Sequence, residues 1–126
     1  MRAVLASLVV AGAGLVALQA PAVAADAANG QKVFRQCQAC HVADQEQNRV
    51  GPHLVGIIGR PAGAVEGFKY SDAMQSSDVV WEEETMAAYL KDPKGYIPGN
   101  RMVFPGLRKD EEIADLLAYL QEESEE

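Results

Sequence analysis

The chain has 126 residues, 48% of them hydrophobic, and a formal net charge of −7 from 18 acidic and 11 basic side chains. That length suits one compact domain rather than two, and the acidic balance argues against nucleic acid or anionic lipid as a target. The chain has two cysteines in all.

At the start, Met1-Arg2 is a short positive segment, Ala3 to Leu18 an uncharged apolar run, and Ala22-Val23-Ala24 a small-residue cleavage site. Together they describe a secretory signal peptide over residues 1–24. The alternative, an uncleaved anchor, is disfavoured because the apolar run falls short of the roughly 20 residues that a spanning helix needs. Removing the leader, whose one charge is Arg2, leaves 102 residues (25–126) with 10 basic and 18 acidic side chains, a formal −8. The remaining domain spends many positions on glycine, proline and loop, so a buried prosthetic group would help to complete its core.

Asp26 is placed to cap a first helix running to about Gln36, with Gly30, Val33, Phe34 and Cys37 on one side. Glycine costs about 1 kcal/mol inside a helix and is kept where another backbone comes close; the C-terminal helix is expected to cross at Gly30. Cys37-Gln38-Ala39-Cys40-His41 follows. This C-x-x-C-H spacing is the pattern of covalent haem attachment: each thiol can add to one vinyl group, and the adjoining imidazole can serve as axial ligand.

Further along, Ser71 caps a short turn through Met74, and a helix after Trp81 opens with Glu82, Glu83 and Glu84, buries Met86, Tyr89 and Leu90, and ends before Pro93. The last helix opens at Asp110, Glu111 and Glu112 and repeats Ile113, Leu116, Leu117 and Leu120 at helical spacing. Its terminal Glu122-Glu123-Ser124-Glu125-Glu126 is expected to fray. No segment alternates as a strand, so the expected fold class is all-α, several short helices with long connections, which a covalently bound haem would help to hold together.

If His41 is one axial ligand, a second must come from a methionine or from His53, or the iron must stay open for a substrate. Met86 lies on a buried helical stripe and Met74 follows a short turn. Met102 sits in Tyr96-Ile97-Pro98-Gly99-Asn100-Arg101-Met102-Val103-Phe104-Pro105-Gly106, where prolines and glycines forbid regular structure and fix the chain path. A thioether on such a loop suits a ligand. His53, after Gly51-Pro52, reads better as a surface side chain.

Across nearly the whole mature chain these segments resemble the class I cytochromes c, the mitochondrial type and its small bacterial relatives. The resemblance rests on the CQACH site, Gly51 to Arg60, Gly67-Phe68-Lys69-Tyr70-Ser71-Asp72-Ala73, Trp81 with its acidic helix, Tyr89-Leu90, Asp92-Pro93-Lys94 and the Tyr96 to Gly106 loop. It implies the cytochrome c fold with crossing terminal helices. It also implies one haem c held by thioethers at Cys37 and Cys40, with iron bound by His41 and Met102. Pro52 then matches the residue whose carbonyl orients the histidine, and Arg60, Tyr70 and Trp81 those that engage the propionates. Tyr89, Asn100 and Phe104 fall where the family lines the methionine side. Those propionate roles agree with the need of a buried carboxylate for fixed donors.

Two features depart from the mitochondrial pattern. Met74 stands where an asparagine is familiar, which predicts a drier pocket. The chain is also acidic where those proteins are basic, although Lys91, Lys94, Arg101, Arg108 and Lys109 cluster ahead of eight acids and no base from Asp110 onward. Such a dipole would orient the molecule toward an acidic docking site.

The resulting expectation is a soluble, monomeric periplasmic electron carrier, not an enzyme. It would accept electrons from a cytochrome bc complex and donate to an oxidase or photosynthetic reaction centre, docking through Lys94, Arg101, Arg108 and Lys109. Two other classes stand beside it: an enzyme or gas sensor in which Met102 leaves the iron open, and a haem-free redox dithiol. The dithiol predicts a βαβ pattern around the cysteines, which the sequence lacks.

Overall fold

The computed structural model describes residues 12–17 and 24–125. Most of the expected leader lies outside the described residues; 12–17 are exposed and carry no regular structure. Among the described residues no helix is long and apolar enough to cross a membrane.

The framework is helical. Helix α1 (Ala27–Phe34) starts at Asp26, whose side chain accepts from the Asn29 N–H, as the capping pattern requires. It ends two residues before the expected Gln36, and the chain continues in tighter turns, with the N–H groups of Arg35, Gln36 and Cys37 donating three residues back. Helix α2 (Asp72–Gln75) is capped by Ser71, whose hydroxyl accepts from the Met74 N–H. Helix α3 (Glu83–Lys91) buries Met86, Tyr89 and Leu90. Helix α5 (Asp110–Glu125) buries Ile113, Leu116, Leu117 and Leu120, and Leu116 is only 1% exposed.

Three features were not anticipated. Arg60–Pro61 (β1) and Val80–Trp81 (β2) form a two-residue antiparallel ladder, Arg60 opposite Trp81; two residues are too few for alternation to show in sequence. Pro93–Tyr96 forms a helical turn, α4, because Pro93 occupies its first position and the Asp92 carboxylate accepts from the Gly95 N–H. The helix runs on through the terminal glutamates as far as Glu125, where fraying was expected. There the Ser124 hydroxyl donates to the Leu120 carbonyl and accepts from the Gly56 N–H, tying the helix end to a distant loop.

Helices α1 and α5 cross at Gly30, as expected. A Cβ at Gly30 would overlap the Asp115 carbonyl and lie 2.9 Å from Tyr119 Cβ, so the absence of a side chain allows the approach. The Phe34 and Tyr119 rings pack at a 46° tilt beside the crossing, with centroids 5.4 Å apart. The buried Asp115 carboxylate accepts from the Asp26 N–H at 2.7 Å and the Asn29 side-chain amide at 2.8 Å. Helix α3 also packs on α5, and Lys91 joins Asp110 at 2.6 Å. Outside these helices, the segments 35–59, 62–71 and 97–109 carry most of the candidate site residues.

Candidate functional site

The C-x-x-C-H segment winds directly out of α1. Cys40 N–H and His41 N–H both donate to the Cys37 carbonyl, at 3.1 and 2.9 Å, a local arrangement that the short spacing makes possible. Both thiols are free and half-buried. Burial, with the neighbouring Cys40 second, pushes the Cys37 thiol up to about 11. A redox dithiol needs the opposite, a lowered thiol pKa.

His41 is held by the next loop. Its Nδ1 lies 2.7 Å from the Pro52 carbonyl; a carbonyl only accepts, so Nδ1 carries the proton and the lone pair is on Nε2. Burial lowers the imidazole pKa, against the opposing effect of that hydrogen bond, which favours the neutral ligating form. Gly51 completes the seat. Its N–H donates to the Cys40 carbonyl at 2.9 Å, and a Cβ there would overlap the imidazole. Gly51 was not singled out from sequence, although its place in a Gly-Pro pair before the His41-orienting carbonyl was a signal.

On the Met102 side, the Tyr89 hydroxyl from α3 donates to Met102 Sδ at 3.8 Å. Burial pushes the Tyr89 hydroxyl up to about 12, so it stays a protonated donor at neutral pH. A thioether has two lone pairs, and one such contact leaves the other for a metal. The Met102 N–H donates to Asn100 Oδ1 at 2.9 Å. Phe104 is half-buried against the core, and the Trp81 and Tyr89 rings pack 4.9 Å apart.

The remaining expected residues sit as follows. Arg60 and Trp81 face each other in the ladder, which puts their side chains on one face. Arg60 Nη1 donates to the His53 carbonyl at 2.8 Å and Nη2 to the Val55 carbonyl, with His53 Nδ1 3.4 Å from Nη2. Burial lowers the Arg60 pKa, opposed by Tyr70 and Glu46. The Tyr70 hydroxyl accepts from the Val65 N–H at 3.0 Å. The His53 ring faces Arg60, and its main-chain N–H donates to Asn48 Oδ1 at 3.0 Å.

The basic stretch divides. Lys94 donates to the Asn100 carbonyl and Arg101 to the Lys69 carbonyl at 2.9 Å, both at the Met102 loop. Lys91 and Lys109 instead pair with Asp110 and Glu112 at the start of α5. Arg49, unremarked in the sequence reading, donates to the Gln38 carbonyl between the two cysteines.

Among the described residues no group of three or more His, Cys, Asp or Glu could hold a metal ion by itself. One imidazole and one thioether suit a metal already carried in a ring. Leu54, Ile58, Met74, Val79, Met102 and Phe104, from separate segments, pack on the core yet remain half-exposed, apolar surface of the kind a flat apolar group would cover. Two thiols for covalent attachment and a guanidinium for its acidic edge complete a donor set that fits haem.

These features define a helical protein with a covalently bound haem. The family model "Cytochrome c" matches residues 27–124. Cytochrome c2 of Blastochloris viridis is 46% identical over 109 residues, 86% of each chain. Cytochrome c type-1 of Ascaris suum is 54% identical over 99 residues, 78% of this chain and 88% of that one. Among solved structures, cytochrome cH from Methylobacterium extorquens superimposes with a TM-score of 0.74 at 42% identity, covering 77% of this chain and 98% of its own. The chain belongs to the cytochrome c family. It is an electron-transfer protein rather than an enzyme, and its cofactor is a covalent c-type haem with iron.

Proposed function

We propose that this protein is a soluble, monomeric periplasmic one-electron carrier whose residues 1–24 are removed on export, leaving 25–126 as the working domain. Its haem is joined to Cys37 and Cys40, and His41 and Met102 fill both axial positions. Arg60, Tyr70 and Trp81 serve the propionates, and Tyr89, Asn100 and Phe104 the methionine side. The observation that carries this reading is that each candidate axial atom is oriented by its own hydrogen bond, His41 by the Pro52 carbonyl and Met102 by the Tyr89 hydroxyl. With both positions filled, the iron exchanges an electron and binds no substrate. Histidine and methionine together raise the reduction potential, which suits a donor such as a cytochrome bc complex and an acceptor such as an oxidase or photosynthetic reaction centre. Lys94, Arg101, Arg108 and Lys109 form the docking face. Lys94 and Arg101 carry most of that role, because they lie at the Met102 loop whereas Lys109 is paired with Glu112.

The test is the absorption spectrum of protein matured in a haem-attaching host. Sharp c-type bands on reduction, and a weak near-infrared iron–thioether band when oxidised, are expected. Attached haem without that band would remove Met102 from the iron and the carrier mechanism with it. Rates with an acidic redox partner should fall as salt rises; salt-independent rates would sink the docking face.

A further inference from the structure

Asn100 is 4% exposed, and every polar atom it owns is engaged by this chain. Its main-chain N–H donates to the Ile97 carbonyl at 3.2 Å. Ile97-Pro98-Gly99-Asn100 thus closes as a turn with proline second and a glycine at φ +91° third, the pattern of a type II turn. The side-chain amide donates to the Pro93 carbonyl at 2.8 Å and to the Ile97 carbonyl at 2.9 Å. Oδ1 accepts from the Met102 N–H at 2.9 Å, with Lys94 Nζ at 3.5 Å, and the main-chain carbonyl accepts from Lys94 Nζ. An amide has two donor hydrogens, and both are spent within the protein.

We infer that Asn100 is the positioning residue that carries Met102. It staples α4 to the Met102 main chain, while Tyr89 holds the sulfur from the other side. This gives a physical role to a residue placed on the methionine side from sequence, and it rests on Met102 being the axial ligand. The physical reason is that a loop without regular structure has no backbone ladder to hold it. A buried amide that meets three main-chain groups supplies the missing ladder, and a low-dielectric site makes leaving any of them unpaired costly.

The experiment titrates the oxidised holoprotein with base and follows the near-infrared iron–thioether band in wild type, Asn100→Ala and Ile113→Val. The last weakens core packing on α5 and removes no hydrogen bond of the loop. Asn100→Ala should favour loss of the thioether by about tenfold or more, seen as a lower midpoint pH, while Ile113→Val, compared at matched thermal stability, should leave the midpoint in place. If Asn100→Ala fails to mature, Asn100→Ser, which keeps one donor and one acceptor, should show a smaller shift in the same direction. A wild type with the band and variants whose midpoint is unmoved, or moved no more than by Ile113→Val, would overturn this inference alone. A wild type with attached haem and no band would overturn the ligand assignment first and this inference with it.

Discussion

The His41 imidazole lies so close over Gly51 that a methyl group on the glycine would sit 2.7 Å from Nδ1 and 2.8 Å from Nε2. The same ring donates to the Pro52 carbonyl, so one dipeptide both limits the ring from one side and aims it. Gly51→Ala must push the ring off that carbonyl or open the loop, at a cost of about 1–3 kcal/mol. A drop in denaturant midpoint of that size should appear together with a high-spin fraction in the ferric spectrum. An alanine variant with unchanged spectrum and stability would show that the ring is not held there.

Tyr89 tests the other axial atom. Its hydroxyl withdraws electron density from Met102 Sδ, which disfavours the ferric state. Tyr89→Phe should lower the reduction potential by about 20–60 mV, the equivalent of one ordinary hydrogen bond. Equilibrium redox titration measures it, and an unchanged or raised potential contradicts the assignment.

Met74 is half-buried against the core with its N–H on Ser71, in keeping with a dry pocket wall. Met74→Asn brings a polar amide into that wall and should weaken the iron–thioether bond, lowering the midpoint of alkaline ligand exchange. A midpoint that is unchanged or higher refutes the dry-pocket reading.

The helix crossing is tested at Gly30. Alanine is the better helix former by about 1 kcal/mol, yet its methyl would overlap the Asp115 carbonyl, a backbone atom unable to turn aside. Gly30→Ala should therefore destabilise the fold by about 2 kcal/mol or more in chemical unfolding. A neutral or stabilised variant would mean that the two helices part without cost.

Asp115 gives the crossing a pH dependence. The Asp26 N–H first, and the Asn29 amide second, hold its carboxyl below the ordinary aspartate value. A depressed folded-state pKa stabilises the native protein above the unfolded-state value, and that contribution is lost as pH falls through the folded one. Wild type should lose stability relative to Asp115→Asn as the pH is taken from 5 down through the ordinary carboxylate range at about 4 and below. A stability gap that stays constant over that window would exclude the linkage.

Much of this protein is local in origin, and that part is readable in its sequence. Asp26 and Ser71 cap the helices they precede, and Ile113, Leu116, Leu117 and Leu120 mark one buried stripe, because the interacting groups lie within a turn or two of each other. The C-x-x-C-H attachment site is local for the same reason: five consecutive residues hold both thiols and one candidate ligand. The missed α4 is local as well, but four residues offer no periodicity and its signal was confined to Asp92 and Pro93. Tertiary structure decided the rest. It set the Tyr89 hydroxyl on Met102, Arg60 opposite Trp81, the Gly56 N–H on Ser124, Gly51 against His41, and the Asn100 amide between α4 and the methionine loop. Most of these partners are many residues apart in the chain, where residue type shows what a group can donate or accept, and packing alone decides which group it meets.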